Sequence, residues 1–306
     1  MAAIIEHPSF DTKIYIGREI NNITLMELLG RGAMGAVFVG FQKSLKRKVA
    51  VKLFPKQTEG AGNYRVHFRE EAEIVSVLNH PNIVQIIDMG ETSEFLYIVM
   101  QLVIGEDLRT MIHRHQLNPI PVRRQIDLQK VLEIMLPVLD ALAYAHEEGV
   151  VHQDIKPGNI LIEERTGRAF LADFGIARSA MNEDSEDASV IMGTPLYIAP
   201  EQICDETADP RSDIYAAGTV LFEAIAGKLP FQKTTIEALL SLKMNNPETL
   251  YTMSPSQCCT AIDKELEKII LKSIAPKKED RYQTCRSFHH NLSLYTKNRF
   301  NRGILL

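Results

Sequence analysis

The spacing of apolar residues changes near residue 104, and this change limits the folds that the chain can adopt. Before that point the strongest signals are short β-rich runs, at 36–41, 48–54, 83–89 and 95–102. One helical stretch interrupts them, with an apolar face formed by Phe68, Ala72, Val75 and Leu78. After that point helical periodicity dominates, at 128–146, 215–226, 235–244, 262–273 and 285–294. The pattern predicts an α+β, bilobed protein, in which a cleft separates a small β-rich lobe with one main helix from a larger, mainly helical lobe.

Composition narrows the class of protein. The 306 residues include 34 Lys and Arg against 39 Asp and Glu, a formal net charge of −5, so we expect no nucleic-acid partner, because such binders are usually basic. The four cysteines lack paired metal-ligand spacing and are predicted to be free thiols. No secretory signal is recognised, and no apolar run reaches the roughly 20 residues of a membrane span. We therefore expect a cytoplasmic protein with no membrane segment in this chain.

A glycine-rich motif, G-R-G-A-M-G, places Gly30, Gly32 and Gly35 close together. Glycine lets backbone N–H groups approach an anion closely, so such loops often cover phosphates. The same spacing occurs in dinucleotide-binding proteins, but there a helix follows the third glycine. Here the next residues, Ala-Val-Phe-Val-Gly-Phe, are typical of a strand. Because a strand and not a helix is predicted after the third glycine, we reject the dinucleotide-binding interpretation.

Lys52 ends the V-A-V-K sequence of the next predicted strand. The simplest interpretation is a surface lysine on a half-exposed strand. A lysine on the inner face of a cleft would instead need an anionic partner, because an unpaired buried ammonium is costly. Glu71, in the helical stretch that follows, is the candidate partner. Glu70 and Glu73 serve as controls, since they should face solvent.

The densest chemistry lies in the polar segment H-Q-D-I-K-P-G-N, residues 152–159, and in the D-F-G sequence at 173–175. Asn159 and Asp173 offer hard oxygen ligands, which suit a magnesium ion shared with substrate phosphates. Asp154 would then be free to orient a hydroxyl nucleophile and accept its proton. Lys156 would neutralise charge on the moving phosphoryl group.

Together these motifs resemble those of the protein kinase family. In family order the chain has the glycine-rich loop up to Val37, V-A-V-K, H-Q-D-I-K-P-G-N, D-F-G, and A-P-E at 199–201. The resemblance runs from about residue 23 to residue 294. Its GRGAMGAVF, HPNIV, PGNIL and GTPLYIAPEQ sequences are most similar to bacterial, eukaryotic-like Ser/Thr protein kinases. It implies a protein-kinase-like fold with an extension at 1–22, the smaller lobe and hinge at 23–103, the larger lobe at 104–297 and a tail at 298–306.

The resemblance also implies catalytic roles. Lys52 would bind the α- and β-phosphates of ATP and pair with Glu71, and Asp154 would be the catalytic base. Asn159 and Asp173 would hold Mg²⁺. The catalytic set is completed by two residues that match Ser/Thr kinases rather than tyrosine kinases, namely Lys156 and Thr194.

Further roles follow from the same resemblance. Two residues would steady the larger lobe: Asp213 would hold the catalytic loop and Arg281 would pair with Glu201. The nucleotide-contacting residues would cover the phosphates, sandwich the adenine and form the hinge. They are Gly30, Arg31, Gly32, Ala33, Met34, Gly35, Val37, Ala50, Lys52, Met100, Gln101, Val103 and Leu161.

The chain departs from the family pattern at two places. Gln153 stands where most regulated kinases have an arginine, which pairs with a phosphate on the activation loop, and a neutral glutamine cannot form that pair. The segment 182–189 contains four acidic residues and no threonine. We infer an enzyme that does not depend on activation-loop phosphorylation, either active as made or controlled by a partner. The alternative for the acidic segment is an ordinary solvated loop.

Three functions compete. The leading one is ATP- and Mg²⁺-dependent phosphoryl transfer to Ser or Thr hydroxyls of proteins, in bacterial signalling. A pseudokinase or nucleotide-binding scaffold is disfavoured because inactive relatives typically lack one or more of the catalytic and metal-binding residues. A small-molecule kinase of the same broad fold is disfavoured by the segment 193–201 with Arg281, which shapes a groove for a peptide. The expected partners are a protein substrate and, beyond it, a regulatory partner or a second copy of the chain.

Overall fold

A computed structural model of the chain describes residues 12–32, 35–56, 61–175, 195–203, 209–231, 235–250 and 254–300. The chain divides into two compact units. The first contains the described residues up to Asn79 and those of Val84–Val103, and the second contains those of His80–Ile83, Ile104–Gly175 and Ser189–Leu306. The division after Val103 falls where the spacing of apolar residues changes.

The first unit is an antiparallel sheet with one long helix. Its strands are β1 (Glu19–Ile20), β2 (Ile23–Gly32), β3 (Gly35–Gln42), β4 (Arg47–Pro55), β5 (Ile86–Glu91) and β6 (Phe95–Met100). The strands lie in the order β1-β2-β3-β4-β6-β5, and every neighbouring pair is antiparallel. The helix is α1 (Ala61–Ser76). Alternation of apolar residues in β3 and β4 explains the sheet, because side chains of successive strand residues point to opposite faces.

One face of this sheet holds the core of the unit. The core includes Phe38, Val51, Leu53 and Val99, which are fully buried or nearly so. Tyr15, from the 3-10 turn Thr12–Tyr15, packs edge-on against Phe95, with ring centroids 4.9 Å apart. Residues 12–22, which the sequence analysis assigns to an extension, thus contribute an edge strand and a core tyrosine to the first unit.

Helix α1 packs through the face that its periodicity predicts. Phe68, Ala72 and Val75 are buried, and so is Leu78, two residues beyond the end of the helix. The helix ends before Pro81, which cannot continue a helical hydrogen-bond ladder. Glu70 and Glu73 are exposed, which confirms the expectation for these two controls.

The second unit is mainly helical. Its helices are α2 (Leu108–Gln116), α3 (Leu128–Glu147), α4 (Pro200–Ile203), α5 (Pro210–Ala226), α6 (Ile236–Asn245), α7 (Pro255–Cys258), α8 (Lys264–Ser273) and α9 (Cys285–Phe300). Three short strands, β7 (Gly105–Asp107), β8 (Ile160–Glu163) and β9 (Ala169–Leu171), form a small antiparallel sheet in the order β7-β8-β9. The α+β class and the change from a β-rich to a helical part are confirmed.

Helices α3 and α5 supply much of the core of this unit. The side chain of Asp127 caps α3, since it accepts hydrogen bonds from the backbone N–H groups of Gln129 and Lys130. Helix α5 is apolar on nearly every side and almost entirely buried, and it ends at Gly227 with φ of +67°. Among the described residues, no helix combines the length and the apolar character that a membrane crossing needs.

Candidate active site

The glycine motif of the first unit lies at the end of a β-hairpin. Gly32 in β2 lies opposite Gly35, the first residue of β3. A Cβ atom at Gly35 would lie 1.9 Å from the carbonyl oxygen of Leu53, and Gly35 has φ of +147°. The fold therefore requires glycine there, because L side chains rarely adopt this backbone conformation. A Cβ atom at Gly30 or Gly32 would meet nothing within 4 Å, so the space beside their backbone is open to a ligand.

The residues expected to contact the nucleotide share one face of the sheet. Lys52 lies opposite Val37 on one side and Ile98 on the other, and Ala50 lies opposite Met100. Directly opposed residues of antiparallel strands point to the same face, and so do alternate residues of one strand. The four expected contacts in these rows therefore lie on the face opposite the core cluster.

Lys52 lies on the side of the sheet that α1 covers. Its Nζ is 5.3 Å from the ring centroid of Phe54, two residues along the same strand. That ring packs edge-on against Phe68 of α1, with centroids 5.0 Å apart. Glu71 follows Phe68 by one helical turn in α1, and its side chain lies outside the described part of the structure. Pairing between Lys52 and Glu71 therefore stays a prediction.

The proposed hinge follows β6 without regular secondary structure. Gln101 donates its backbone N–H to the carbonyl oxygen of Gln85 at 2.9 Å, and Gln101 and Val103 are half-buried. In the second unit, Leu161 lies in β8 opposite Phe170 and is half-buried. Arg31 in β2 is exposed. Each of these expected nucleotide contacts thus keeps some solvent-accessible surface.

The catalytic loop of the second unit places three polar side chains in direct contact. The Asp154 carboxylate oxygen Oδ2 accepts hydrogen bonds from Lys156 Nζ at 2.6 Å and from Asn159 Nδ2 at 3.0 Å. Asn159 Nδ2 also donates to the backbone carbonyl of Asp154 at 2.8 Å. Within the described ranges no hydrogen bond reaches Asp154 Oδ1, so this oxygen can accept one from a further group.

His152 anchors this loop to the segment that follows it. The ring is fully buried, its Nε2 lies 3.1 Å from the carbonyl oxygen of Ala172, and Nδ1 accepts the backbone N–H of Asp154. This pairing assigns the proton to Nε2. Burial lowers the pKa of His152, although the nearby carboxylates of Asp213 and Asp154 oppose that shift. The histidine is therefore a neutral structural group.

A buried carboxylate holds the backbone of the same loop. Asp213, in α5, is 1% exposed and accepts the backbone N–H groups of His152 at 2.7 Å and Gln153 at 2.8 Å. His146 Nε2, from α3, lies 2.8 Å from the same carboxylate. Gln153 has φ of +63°, a left-handed conformation that is uncommon for a side-chain-bearing residue. The carboxylate fixes the loop in this conformation by binding two successive N–H groups.

The D-F-G segment is tied to the catalytic loop through its backbone. Ala172 donates its N–H to the carbonyl oxygen of Asn159 at 2.9 Å, and Gly175 donates to that of His152 at 3.0 Å. The ring of Phe174 packs against the His152 ring, with centroids 4.4 Å apart. Asp173, between these anchors, has φ of +57°. These contacts tie the residues on both sides of Asp173 to His152 and Asn159.

The donor set of Asn159 and Asp173 fits magnesium. Because the amide nitrogen of Asn159 is used by Asp154, the side-chain oxygen Oδ1 is the atom left to coordinate a cation. The Asp173 carboxylate offers a second oxygen of the hard type that magnesium prefers. Magnesium typically takes one or two protein ligands of this kind and completes its octahedron with substrate phosphates and water. The described residues contain no cluster of three or more His, Cys, Asp or Glu side chains that could hold a metal.

A buried ion pair fixes the A-P-E segment. Arg281 Nη1 and Nη2 donate to the two carboxylate oxygens of Glu201 at 2.6 and 2.8 Å. Ser212 Oγ donates to the same carboxylate. Burial alone would raise the pKa of Glu201, but the hydrogen bonds and charge of Arg281 outweigh it and hold the pKa below its usual value. The carboxylate is therefore ionised at neutral pH.

Two functional contacts escape sequence reasoning. Tyr197 donates its hydroxyl to Glu223 of α5 at 2.6 Å. Lys243 in α6 is fully buried against the backbone that precedes the A-P-E sequence. One sequence signal exists for Lys243, because it stands four residues after Leu239 and so shares a helix face with an apolar residue.

Several predicted residues lie outside the described residues. They are Ala33 and Met34 of the glycine motif, Thr194, Cys204 and the acidic segment 182–189. The other three cysteines, Cys258, Cys259 and Cys285, are free thiols, as predicted.

Comparison with known proteins agrees with this geometry. A family model described as "Protein kinase domain" matches residues 23–293. Pkn1, a serine/threonine-protein kinase of Myxococcus xanthus, is 34% identical over 283 residues, covering 91% of this chain and 39% of the relative. PrkC of Bacillus subtilis, also a serine/threonine-protein kinase, is 33% identical over 279 residues, covering 90% and 41%. The chain thus spans about two fifths of the length of these curated relatives.

Solved structures show the same fold. The kinase domain of PknI from Mycobacterium tuberculosis superimposes with a TM-score of 0.69 at 25% sequence identity, covering 91% of this chain and 98% of that domain. The similarity extends over both units of the chain, so the predicted protein-kinase-like fold is confirmed.

Proposed function

Because the chain belongs to the protein kinase family, we propose that it transfers the γ-phosphoryl group of ATP to Ser and Thr hydroxyls of protein substrates, with Asp154 as the catalytic base. The observation that carries this proposal is the hydrogen-bond network of Asp154, Lys156 and Asn159. It leaves one carboxylate oxygen for a hydroxyl and places a cation beside it.

The residues divide the chemistry among them. The hydroxyl oxygen attacks the γ-phosphorus as the bond to the bridging oxygen breaks and ADP leaves, and Asp154 Oδ1 takes the hydroxyl proton. Lys156, 2.6 Å from Asp154, balances charge on the transferred group. Asn159 and Asp173 would hold Mg²⁺, which supplies neutralisation of the phosphate charges when bound. Lys52, with Glu71 as its proposed partner, would orient the α- and β-phosphates.

The adenine and phosphate contacts are proposed for the shared face of the first unit. Val37, Ala50 and Met100 offer an apolar surface there, in the same two rows as Lys52. The open space beside Gly30 and Gly32 suits phosphate oxygens, because backbone N–H groups can approach them without a Cβ between.

Activity without activation-loop phosphorylation is part of the proposal. An arginine at position 153 would need a phosphate partner to become ordered. Here the backbone at Gln153 is already fixed by Asp213 at 2.8 Å, and glutamine carries no charge to be neutralised. The hydroxyls available between residues 179 and 189 are Ser179, Ser185 and Ser189. The double variant Ser185→Ala/Ser189→Ala should keep wild-type activity, and its loss would refute this part.

The first experiment incubates the purified chain with labelled ATP, Mg²⁺ and a generic protein acceptor, beside Asp154→Asn. Asp280→Asn, which changes an exposed aspartate, is the matched control. We expect the wild type to incorporate label on Ser or Thr. The rate of incorporation should fall by a factor of about a hundred or more in Asp154→Asn, the usual scale for a general base, and should be unchanged in the control. ATP binding without transfer in the wild type would instead support the nucleotide-binding scaffold, and transfer only to a small molecule would support the third function.

A further inference from the structure

Lys243 is a buried cation with an unusual place in its helix. The buried residues of α6 are Leu239 and Lys243, one helical turn apart, and Lys243 is 0% exposed. Lysine is almost never fully buried unless its ammonium group is paired. The partners of this ammonium therefore indicate why the sequence has lysine at a core position.

The partners are backbone carbonyl groups of one short segment. Lys243 Nζ donates to the carbonyl oxygens of Pro195 at 3.2 Å, Leu196 at 3.0 Å and Ile198 at 2.7 Å. An ammonium has three N–H donors, so these three bonds use its full capacity. In the described part of the chain no carboxylate lies within salt-bridge distance of Nζ. The lysine therefore stabilises the backbone conformation of residues 195–198, which we call the 195–198 turn.

Aromatic rings complete the pocket of the ammonium. Nζ lies 5.3 Å from the ring centroid of Tyr215 in α5 and 5.5 Å from that of Phe231, close enough for cation–π attraction. Burial and, to a smaller extent, the charge of Arg281 lower the pKa of Lys243, Glu201 opposes them, and the net pKa is about 7. The carbonyl groups and rings thus stabilise the charged ammonium over the neutral amine, but burial makes the charge of Lys243 sensitive to pH.

The 195–198 turn and the catalytic loop share a neighbour, Arg109. Tyr197, within the turn, is bonded to Glu223, and the charge of Arg109 acts on both groups. The Arg109 guanidinium in turn lies against Gly158, since a Cβ atom there would be 2.1 Å from Nη2. Gly158 is the neighbour of Asn159. We take a peptide whose hydroxyl reaches Asp154 to pass the turn as well.

We propose that Lys243 is a positioning residue for protein substrates, which holds the 195–198 turn in the curved conformation that an extended peptide binds next to its phosphorylated residue. The proposal rests on the proposed kinase activity. The turn is fixed at its C-terminal side by the Glu201–Arg281 pair and at its carbonyl groups by Lys243. Without the ammonium, three carbonyl oxygens converge on one point with no donor, and they repel one another until the turn opens.

The test separates acceptor binding from nucleotide binding. Lys243→Met keeps the length and apolar stem of the side chain but removes the cation, and Lys268→Met, at an exposed position of α8, is the matched control. We expect the variant to raise KM for a peptide or protein acceptor about fivefold or more, the scale of one lost buried hydrogen bond. KM for ATP and acceptor-independent ATP hydrolysis should change less than twofold. An unchanged acceptor KM, or equal changes in both KM values, would overturn the proposal.

The pH dependence of acceptor KM, measured for the wild type and for Lys243→Met, gives a second readout. Above pH 7 the neutral amine has two N–H donors for three carbonyls, so acceptor KM of the wild type should rise between pH 6.5 and 8.5. The ratio of the variant KM to the wild-type KM should shrink over the same range. Among the residues that the structure describes, the charged and titratable groups that act on or face Nζ are Glu201, Arg281 and Tyr215. A ratio that is the same at every pH would contradict the proposal.

Hydrogen–deuterium exchange distinguishes failure of this inference from failure of the kinase function. The amides of residues 196–199 should exchange faster in Lys243→Met than in the wild type, while those of α3 should be unchanged. If these amides exchange faster in the variant but the wild type transfers no phosphate, the kinase function is refuted and the role of Lys243 in holding the turn is supported. Unchanged exchange at 196–199 would refute that role.

Discussion

Replacing Arg281 with methionine tests how the second unit is held together. All five N–H donors of this guanidinium are used: two on the Glu201 carboxylate, and one each on the carbonyl oxygens of Ala275, Arg211 and Pro276, at 2.6–3.0 Å. The side chain is 0% exposed and Glu201 is 6% exposed. Methionine fills much of the volume but donates nothing, so a charged carboxylate stays buried with only the Ser212 hydroxyl and a backbone N–H as described hydrogen-bond donors.

The expected loss follows from these contacts. Removing one partner of a buried ion pair costs about 3–5 kcal/mol, and we expect Arg281→Met to lower the free energy of unfolding by about 4 kcal/mol. Glu201→Gln keeps an acceptor but loses the charge, for which we expect about 2 kcal/mol. The double variant should lose about 4 kcal/mol rather than the sum, because glutamine removes the unpaired buried charge.

Urea unfolding followed by far-UV circular dichroism measures these differences, since the chain has no tryptophan for fluorescence. Losses that add within about 0.5 kcal/mol would refute the coupling. The pH dependence is a further check. The folded pKa of Glu201 lies below its usual 4.5, so its contribution is present above that pH and is lost as pH falls through the folded pKa. The stability difference between wild type and Glu201→Gln should therefore shrink in acid, and a difference that grows would contradict the pairing.

Other predictions concern the loops. Gly32→Ala should leave the melting temperature unchanged, because a Cβ there meets nothing, and should raise KM for ATP; Gly35→Ala should lower the melting temperature, because its Cβ would lie 1.9 Å from the Leu53 carbonyl oxygen. Equal melting temperatures for the two variants would contradict this. Asp213→Asn should lower kcat at least about tenfold, since the amide NH₂ group faces the N–H groups of His152 and Gln153 and cannot accept both. Wild-type kcat in Asp213→Asn would refute the positioning role, and Asp280→Asn is its control.

The sequence predicts the local parts of this molecule well, for a physical reason. Strand alternation at β4 and the i, i+3, i+4 spacing of α1 are properties of a few neighbouring residues, and both predictions are confirmed. The contacts among Asp154, Lys156 and Asn159 lie within six residues, so motif spacing already brings those side chains close. The pairing of Arg281 with Glu201 spans 80 residues and was predicted only through the family resemblance.

What the sequence does not predict depends on where distant backbone groups converge. The pocket of Lys243 is built from carbonyl groups 45–48 residues away in the chain. Every residue has a backbone carbonyl, so the residue types do not show which of them bind the lysine. The contact of Tyr197 with Glu223 has the same character, since both residues satisfy their own local helix or turn pattern without it. Helix α2, with three buried residues in nine, is too short for its periodicity to stand out.

Buried charged groups give the irregular segments of the second unit their fixed shape. Asp213 accepts two backbone N–H groups of the catalytic loop, Arg281 donates to three backbone carbonyls, and Lys243 donates to three more. Loops lack the repeating hydrogen bonds of helices, so their buried backbone groups need partners from elsewhere. A loop whose backbone is bound in this way does not need a charged side chain at residue 153 to fix its geometry. This is the physical basis on which we expect Gln153 to be compatible with catalysis. We assign the ordering that a phosphate and an arginine provide in regulated kinases to the contacts of Asp213 and Arg281, which do not depend on phosphorylation.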